Sequence, residues 1–163
     1  MDFHAGDPVI HWNYGLGKVV RLEERDISGS KMLYYVVQVR DMTVWVPRDG
    51  NLGSRLRHPM PASGFKKMLM ILSSPGEPLP DDRHKRKIQL IDLLKQGRPE
   101  SFFRVIRDLC GFKQGRTLSD SDQALLRLTQ SALVGEWGYA LSISQAQAEQ
   151  ELQHMIAIGS NKI

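Results

Sequence analysis

The apolar residues of this chain change their period once, between Arg57 and Ala62, and that switch divides the fold into two parts. Before it, apolar and β-branched residues come in short runs bounded by turn-forming residues, the pattern of strands. Val9-Ile10-His11-Trp12 is entered through Gly6-Asp7-Pro8, and residues 18–25 follow a turn that contains Gly15 and Gly17. Residues 32–39, rich in aromatic and β-branched side chains, follow the turn at 27–30 and suit a central strand. Arg40-Asp41 turns the chain into Met42-Thr43-Val44-Trp45-Val46, which Pro47 ends, and residues 54–57 supply a last short strand. Such a series of short strands predicts a small SH3-like or Tudor-like β-barrel.

Past Pro61 the spacing is helical. Phe65, Met68, Leu69 and Leu72 fall at i, i+3, i+4 and i+7, one helix face, and residues 73–76 end that helix. Ile88, Ile91 and Leu94 continue a second helix to the stop at Lys95-Gln96-Gly97. Pro99, placed as a first-turn proline, precedes the apolar face of Phe102, Phe103, Ile106, Leu109 and Cys110. Residues 111–115 read as a loop. Ser119 is the expected N-cap of a long helix through Leu125, Leu128, Leu133 and Trp137 towards Leu141. Ser144 with Gln147 forms a capping-box pattern for a last helix that buries Leu152, Met155 and Ile156. The predicted fold class is α+β in two domains: a β domain over residues 1–60 and a compact all-α domain of about five helices over residues 61–163.

The 163 residues carry one cysteine, Cys110, which allows no internal disulfide. No apolar run approaches the roughly 20 residues that span a bilayer. The first residues, Met1-Asp2-Phe3-His4, lack the basic and apolar regions of a signal peptide, so the expected location is the cytoplasm. The net charge of +4 is uneven: residues 1–60 are +1, residues 61–116 are +6 and residues 117–163 are −3. A positive middle third favours a polyanionic partner for one face only.

That charge is densest after an extended segment, Pro75-Gly76-Glu77-Pro78-Leu79-Pro80, held open by its three prolines. Asp81 and Asp82 suit a helix start, where a carboxylate accepts from free backbone N–H groups. Arg83, Lys85, Arg86 and Lys87, with His84 among them, do not, because cations there oppose the macrodipole. A chain that tolerates them has a use for positive charge at that place, and phosphate is the matching target. The competing reading is a solvated basic helix face.

Catalytic signatures are missing: there is no phosphate-binding glycine loop, no His-Glu-x-x-His and no Gly-x-Ser-x-Gly. His4, Asp7 and His11 flank a turn and lack a fourth metal partner. Cys110, on an apolar face with Ile106 and Leu109, reads as a buried structural thiol. Trp45 alternates with Val44 and Val46, so either the valines are core and the indole is exposed, or the reverse. An exposed tryptophan in a small barrel is a candidate contact anchor. Trp12 and Trp137 read as core, and Arg25, by its own context, as a surface arginine.

Taken together, Gly6-Asp7-Pro8-Val9-Ile10, Tyr14-Gly15-Leu16-Gly17-Lys18-Val19 and Met42-Thr43-Val44-Trp45-Val46-Pro47 resemble the polymerase-interacting module of the CarD/CdnL family. Pro78-Leu79-Pro80, Arg107-Asp108-Leu109, Leu118-Ser119 and Leu133-Val134-Gly135-Glu136 extend the resemblance over nearly the whole chain. The resemblance implies a monomeric transcription regulator whose barrel binds the β subunit of RNA polymerase and whose helical domain touches promoter DNA. It places Arg25 and Pro47 at the polymerase contact, and Trp45 at the other principal contact position, where the best-known members have arginine but the residue varies. It places Lys85 and Arg86 at DNA-facing positions, with Arg83 and Lys87 beside them. One departure stands out: the family's tryptophan, which wedges into the open duplex, is Arg83 in this chain. Arginine can enter a minor groove but cannot act as an apolar wedge.

The expected function is therefore a non-enzymatic transcription regulator without cofactor, gripping DNA through phosphates that carry little sequence information. Two rivals remain. A helix-turn-helix repressor would need base-reading side chains and usually a dimer. A peptide-reading Tudor-like module would need Trp12, Tyr14 and Trp45 to form an aromatic cage.

Overall fold

The computed structural model describes residues 2–160. Strands β1 (Pro8–His11), β2 (Gly15–Ile27), β3 (Ser30–Val39), β4 (Met42–Pro47) and β5 (Leu56–Arg57) form one antiparallel sheet, in the order β4-β3-β2-β1-β5. A short helix α1 (Leu52–Arg55) runs between the two outer strands, where the spacing predicts the beginning of a strand. Two hairpins set the register. Ser28 and Gly29, at φ 54° and 81°, join Ile27 to Ser30, and Arg40, at φ 56°, opens the turn from Val39 to Met42. In the first of these, positive φ at both central residues matches the right-handed twist of the flanking strands. The β2–β3 register shifts between Val19 and Arg21, leaving Val20 unpaired as a bulge.

Five helices follow the sheet: α2 (Ala62–Leu72), α3 (Arg83–Lys95), α4 (Ser101–Phe112), α5 (Asp120–Leu141) and α6 (Gln145–Ser160). Their ends follow the expected caps. The Ser119 hydroxyl accepts from Asp122 N–H at 3.1 Å, and the Asp122 carboxylate accepts from Ser119 N–H at 2.9 Å, a reciprocal capping box. Ser144 Oγ accepts from Gln147 N–H at 3.1 Å. The fold is α+β, a Tudor-like sheet followed by helices, as the periodicity implies.

Each part has its own core. Phe3, Val9, Val19, Tyr35, Val37, Val39, Val46, Leu52 and Leu56 fill the sheet's inner side. Phe65, Phe102, Phe103, Ile106, Leu109, Leu133 and Trp137 lead the larger helical core, which Ile10 of β1 also joins. The two parts are fastened by polar contacts as well. Arg57 donates two hydrogen bonds of 2.8 Å to Glu136, which also accepts from Met60 N–H at 3.0 Å. Glu136 is completely buried, so these three bonds are what make its charge tolerable there. Gly97, at φ 64°, lies so close to Ser54 that a Cβ would overlap that residue's carbonyl.

Candidate functional site

Two surfaces carry the expected site residues, all but Arg86. The first is the outer side of the sheet. Val46 is buried and Trp45 is 38% exposed, so the valines do turn inward and the indole outward. By the pairing register Trp45 lies level with Val36 on β3 and Arg21 on β2, while Pro47 lies level with Tyr34 and Glu23. Two-residue alternation on β2 therefore puts Arg21, Glu23 and Arg25 on the same side as Trp45 and Pro47.

On that side the polar groups meet. Trp45 Nε1–H donates to Glu23 Oε2 at 2.8 Å, and Arg25 Nε lies 3.2 Å from the same oxygen. Arg21 Nη2–H donates to the other oxygen, Oε1, at 3.1 Å. The Arg25 guanidinium stands 4.8 Å from the centre of the indole, within range of a cation–π contact. The indole hydrogen bond, then that of Arg21, hold the Glu23 carboxyl below its ordinary range. The sequence does not mark Glu23 as a site residue, although strand alternation from Arg25 puts it on the right face.

The second surface is the start of α3. Asp82 is its N-cap, accepting from His84 N–H at 2.8 Å and Lys85 N–H at 3.4 Å. Arg83, Lys85 and Lys87 are exposed. Lys85 and Lys87 project about 200° apart around the helix axis, so they cannot meet one phosphate strand together. Lys85 faces an open groove of about 780 Å³ between α3, α4 and the proline segment, lined also by Arg104, Arg107 and Ile88. Arg83 and Lys87, one turn apart, share another side.

Arg86 requires a correction. Expected to face DNA, it is 3% exposed and points inward. Its Nη2 lies 2.7 Å from Asp122 Oδ2 and its Nε 3.0 Å from Oδ1, while Nη1 donates to the carbonyls of Pro80 and Asp81 at 3.1 and 3.0 Å. The guanidinium also lies 4.4 Å from the centre of the Phe112 ring. Burial pushes the Asp122 carboxyl up, but the hydrogen bonds from Arg86 and Ser119 outweigh it and leave the group below its ordinary value. Arg86 thus joins the proline segment, α3, α4 and α5, and a guanidinium buried with all three nitrogens engaged is not presented to phosphate. The spacing carries the warning: Arg86, Leu90 and Leu94 are four residues apart, the inward row of the helix. Asp108 plays a similar part for the proline segment, accepting from Glu77 N–H at 2.9 Å and Arg107 Nε–H at 2.9 Å.

The remaining candidates have structural employment. His11 Nδ1 accepts from Asn13 and Tyr14 N–H at 3.1 Å each, and burial lowers its pKa to about 4. Burial pushes the Cys110 thiol up to about 11, far from a nucleophile's range. Tyr14 and Trp12 gather around His11, with ring centroids 5.0 and 5.8 Å from its own, whereas Trp45 is engaged on β2 with Glu23 and Arg25. The aromatic cage does not form. Among the described residues, no helix is long and apolar enough to cross a membrane.

A Tudor-like sheet ahead of a helical part agrees with the domain order that comparison with known proteins gives. The CarD-like/TRCF RID domain matches residues 3–52, and the CarD C-terminal domain matches residues 67–153. The chain belongs to the CarD family of transcription regulators. It is also 26% identical over 148 residues to the "Putative transcription factor YdeB" of Bacillus subtilis (strain 168), covering 89% of this chain and 96% of that one.

Proposed function

We propose that this protein is a cytoplasmic, monomeric regulator that docks on the β subunit of RNA polymerase and steadies or weakens the open promoter complex through DNA. The sheet, residues 1–60, supplies the polymerase contact through Arg25, Trp45 and Pro47. The helical domain, residues 61–163, supplies the DNA contact through Arg83, Lys85 and Lys87. The observation that carries this reading is the gathering of Arg25 and Trp45, distant in sequence, on one exposed face within a family of transcription regulators. The three exposed cations at the start of α3 support the second half, since Lys and Arg contacts to phosphate give weak, salt-dependent binding without sequence preference.

The test is capture of RNA polymerase core by the purified chain. Trp45→Ala and Arg25→Glu should each reduce capture, while Lys85→Ala/Lys87→Ala should leave it intact and weaken binding to promoter DNA. Capture that survives both sheet substitutions would overturn the assignment. Arg83→Trp, which restores the indole expected of the family, should lengthen the lifetime of open complexes at fixed salt.

A further inference from the structure

We propose that Glu23 is a positioning residue of the sheet surface, holding Trp45 and Arg25 in one fixed arrangement before any partner arrives. The inference rests on the polymerase-docking reading of that surface and adds to it a residue that the resemblance does not point to.

β2 and β4 are not neighbours; β3 lies between them. Adjacent strands are about 4.8 Å apart, so the backbones of Glu23 and Trp45 are separated by about 10 Å or more. An indole standing upright from β4 could not reach Glu23. The 2.8 Å bond from Nε1 therefore requires the ring to lean across β3 towards β2. Val36 records the result. It pairs with both Trp45 and Arg21, belongs to neither hydrophobic core, and is nevertheless only 1% exposed. A small aliphatic residue on the outer face of a sheet is closed off in this way when a larger side chain lies over it.

The same carboxylate then fixes the cations. Arg25 approaches the oxygen that already accepts from the indole, which brings its guanidinium against the ring, and Arg21 takes the other oxygen. One anion thus holds three side chains from two strands. Without it, Trp45 and Arg25 would each sample several rotamers, and binding would have to order them. The arrangement left for a partner is a flat indole edged by two arginines with one net positive charge, which suits an apolar patch bordered by a carboxylate.

The experiment compares Glu23→Ala and Glu23→Gln with Trp45→Ala and the Glu23→Ala/Trp45→Ala pair in the full chain. Affinity for RNA polymerase core is measured beside the indole N–H resonance of Trp45, assigned by its disappearance in Trp45→Ala. Glu23→Ala should shift that resonance and weaken polymerase binding about tenfold, the loss expected when two long side chains must be ordered on binding. Glu23→Gln, which keeps an acceptor for the indole, should recover part of both. In the Trp45→Ala background, Glu23→Ala should cost clearly less than in the parent, because one of the two side chains it orders is already gone and only Arg25 is left to be held. An additive loss in the pair would mean that Glu23 touches the partner directly, and would overturn the positioning role. An unchanged affinity in Glu23→Ala, with Trp45→Ala still weakened, would overturn it too while leaving the docking surface standing. Unchanged affinity in all the variants would remove the docking surface itself and the positioning role with it.

Discussion

Arg25 and Arg86 are set in nearly the same company, and their surroundings give them opposite uses. Each lies against one carboxylate and one aromatic ring: Glu23 and Trp45 for the first, Asp122 and Phe112 for the second. The side chains of Arg25 and Glu23 are 48% and 27% exposed, those of Arg86 and Asp122 only 4% and 2%. Water weakens the first pair and leaves its donors partly free, so it adds little to stability and can be recruited by a partner. The second pair is cut off from water, and its charges are tolerable only while they hold each other. An arginine beside a carboxylate is therefore a contact or a clasp according to its depth, and only the clasp is visible to the folding equilibrium.

The sharpest way to break this comparison is to cut the clasp. Arg86→Ala strands the Asp122 carboxylate and should destabilise the protein by about 3–5 kcal/mol, read as a fall in denaturant midpoint. A change below about 1 kcal/mol would mean that water reaches Asp122 after all. A second measurement asks whether burial sets the scale in the sheet as well. His11 is neutral when folded, and its pKa is lowered from 6.5 to about 4. Between those values the unfolded chain binds the proton and the folded chain does not, so stability should fall as pH drops through that window. The full effect corresponds to about 3 kcal/mol, and a His11→Asn variant should show a flatter pH profile over the same range.

Smaller changes are expected at the exposed sites. Arg25→Ala and Trp45→Ala should leave Tm within about 2 °C of the parent while reducing polymerase capture. A large drop in Tm would place Trp45 among the supports of the fold. For α3, removing Lys85 or Lys87 should lower the log–log salt slope of DNA binding by about one unit for each phosphate no longer neutralised. Since the two project to different sides of the helix, one of them should account for most of that change.

Much of the fold can be read in the sequence because each part repeats a simple pattern. The switch of period after Arg57, the Ser119 and Ser144 caps and the turn at Arg40-Asp41 all follow from short-range preference. Trp45 can be narrowed only to two faces, because alternation fixes which residues share a side and not which side is inward. Arg86 misleads because it stands in a run of cations, and the charge of that run masks its spacing to Leu90 and Leu94. What makes its burial possible is Asp122, thirty-six residues further along the chain. No local pattern announces such a partner. Glu23 is hidden for a related reason: its importance lies in bringing Trp45 and Arg25 together, and that convergence exists only once β3 has been laid between their strands.

The bond from Arg57 to Glu136 and the close approach of Gly97 to Ser54 also determine how two modest affinities would combine. They pin the sheet to the helices on either side of the short link between them, so the span between the proposed polymerase contact and the proposed DNA contact is built in. On the proposed function, once the sheet is seated, α3 would be delivered to the same stretch of duplex each time, at an effective concentration that no free peptide of the same sequence could match. A loosely tethered pair of domains would search a volume; this one would probe a point. Its choice of position on a promoter would then come from geometry, set by where the polymerase already stands, and the protein could act at a fixed place without reading a single base.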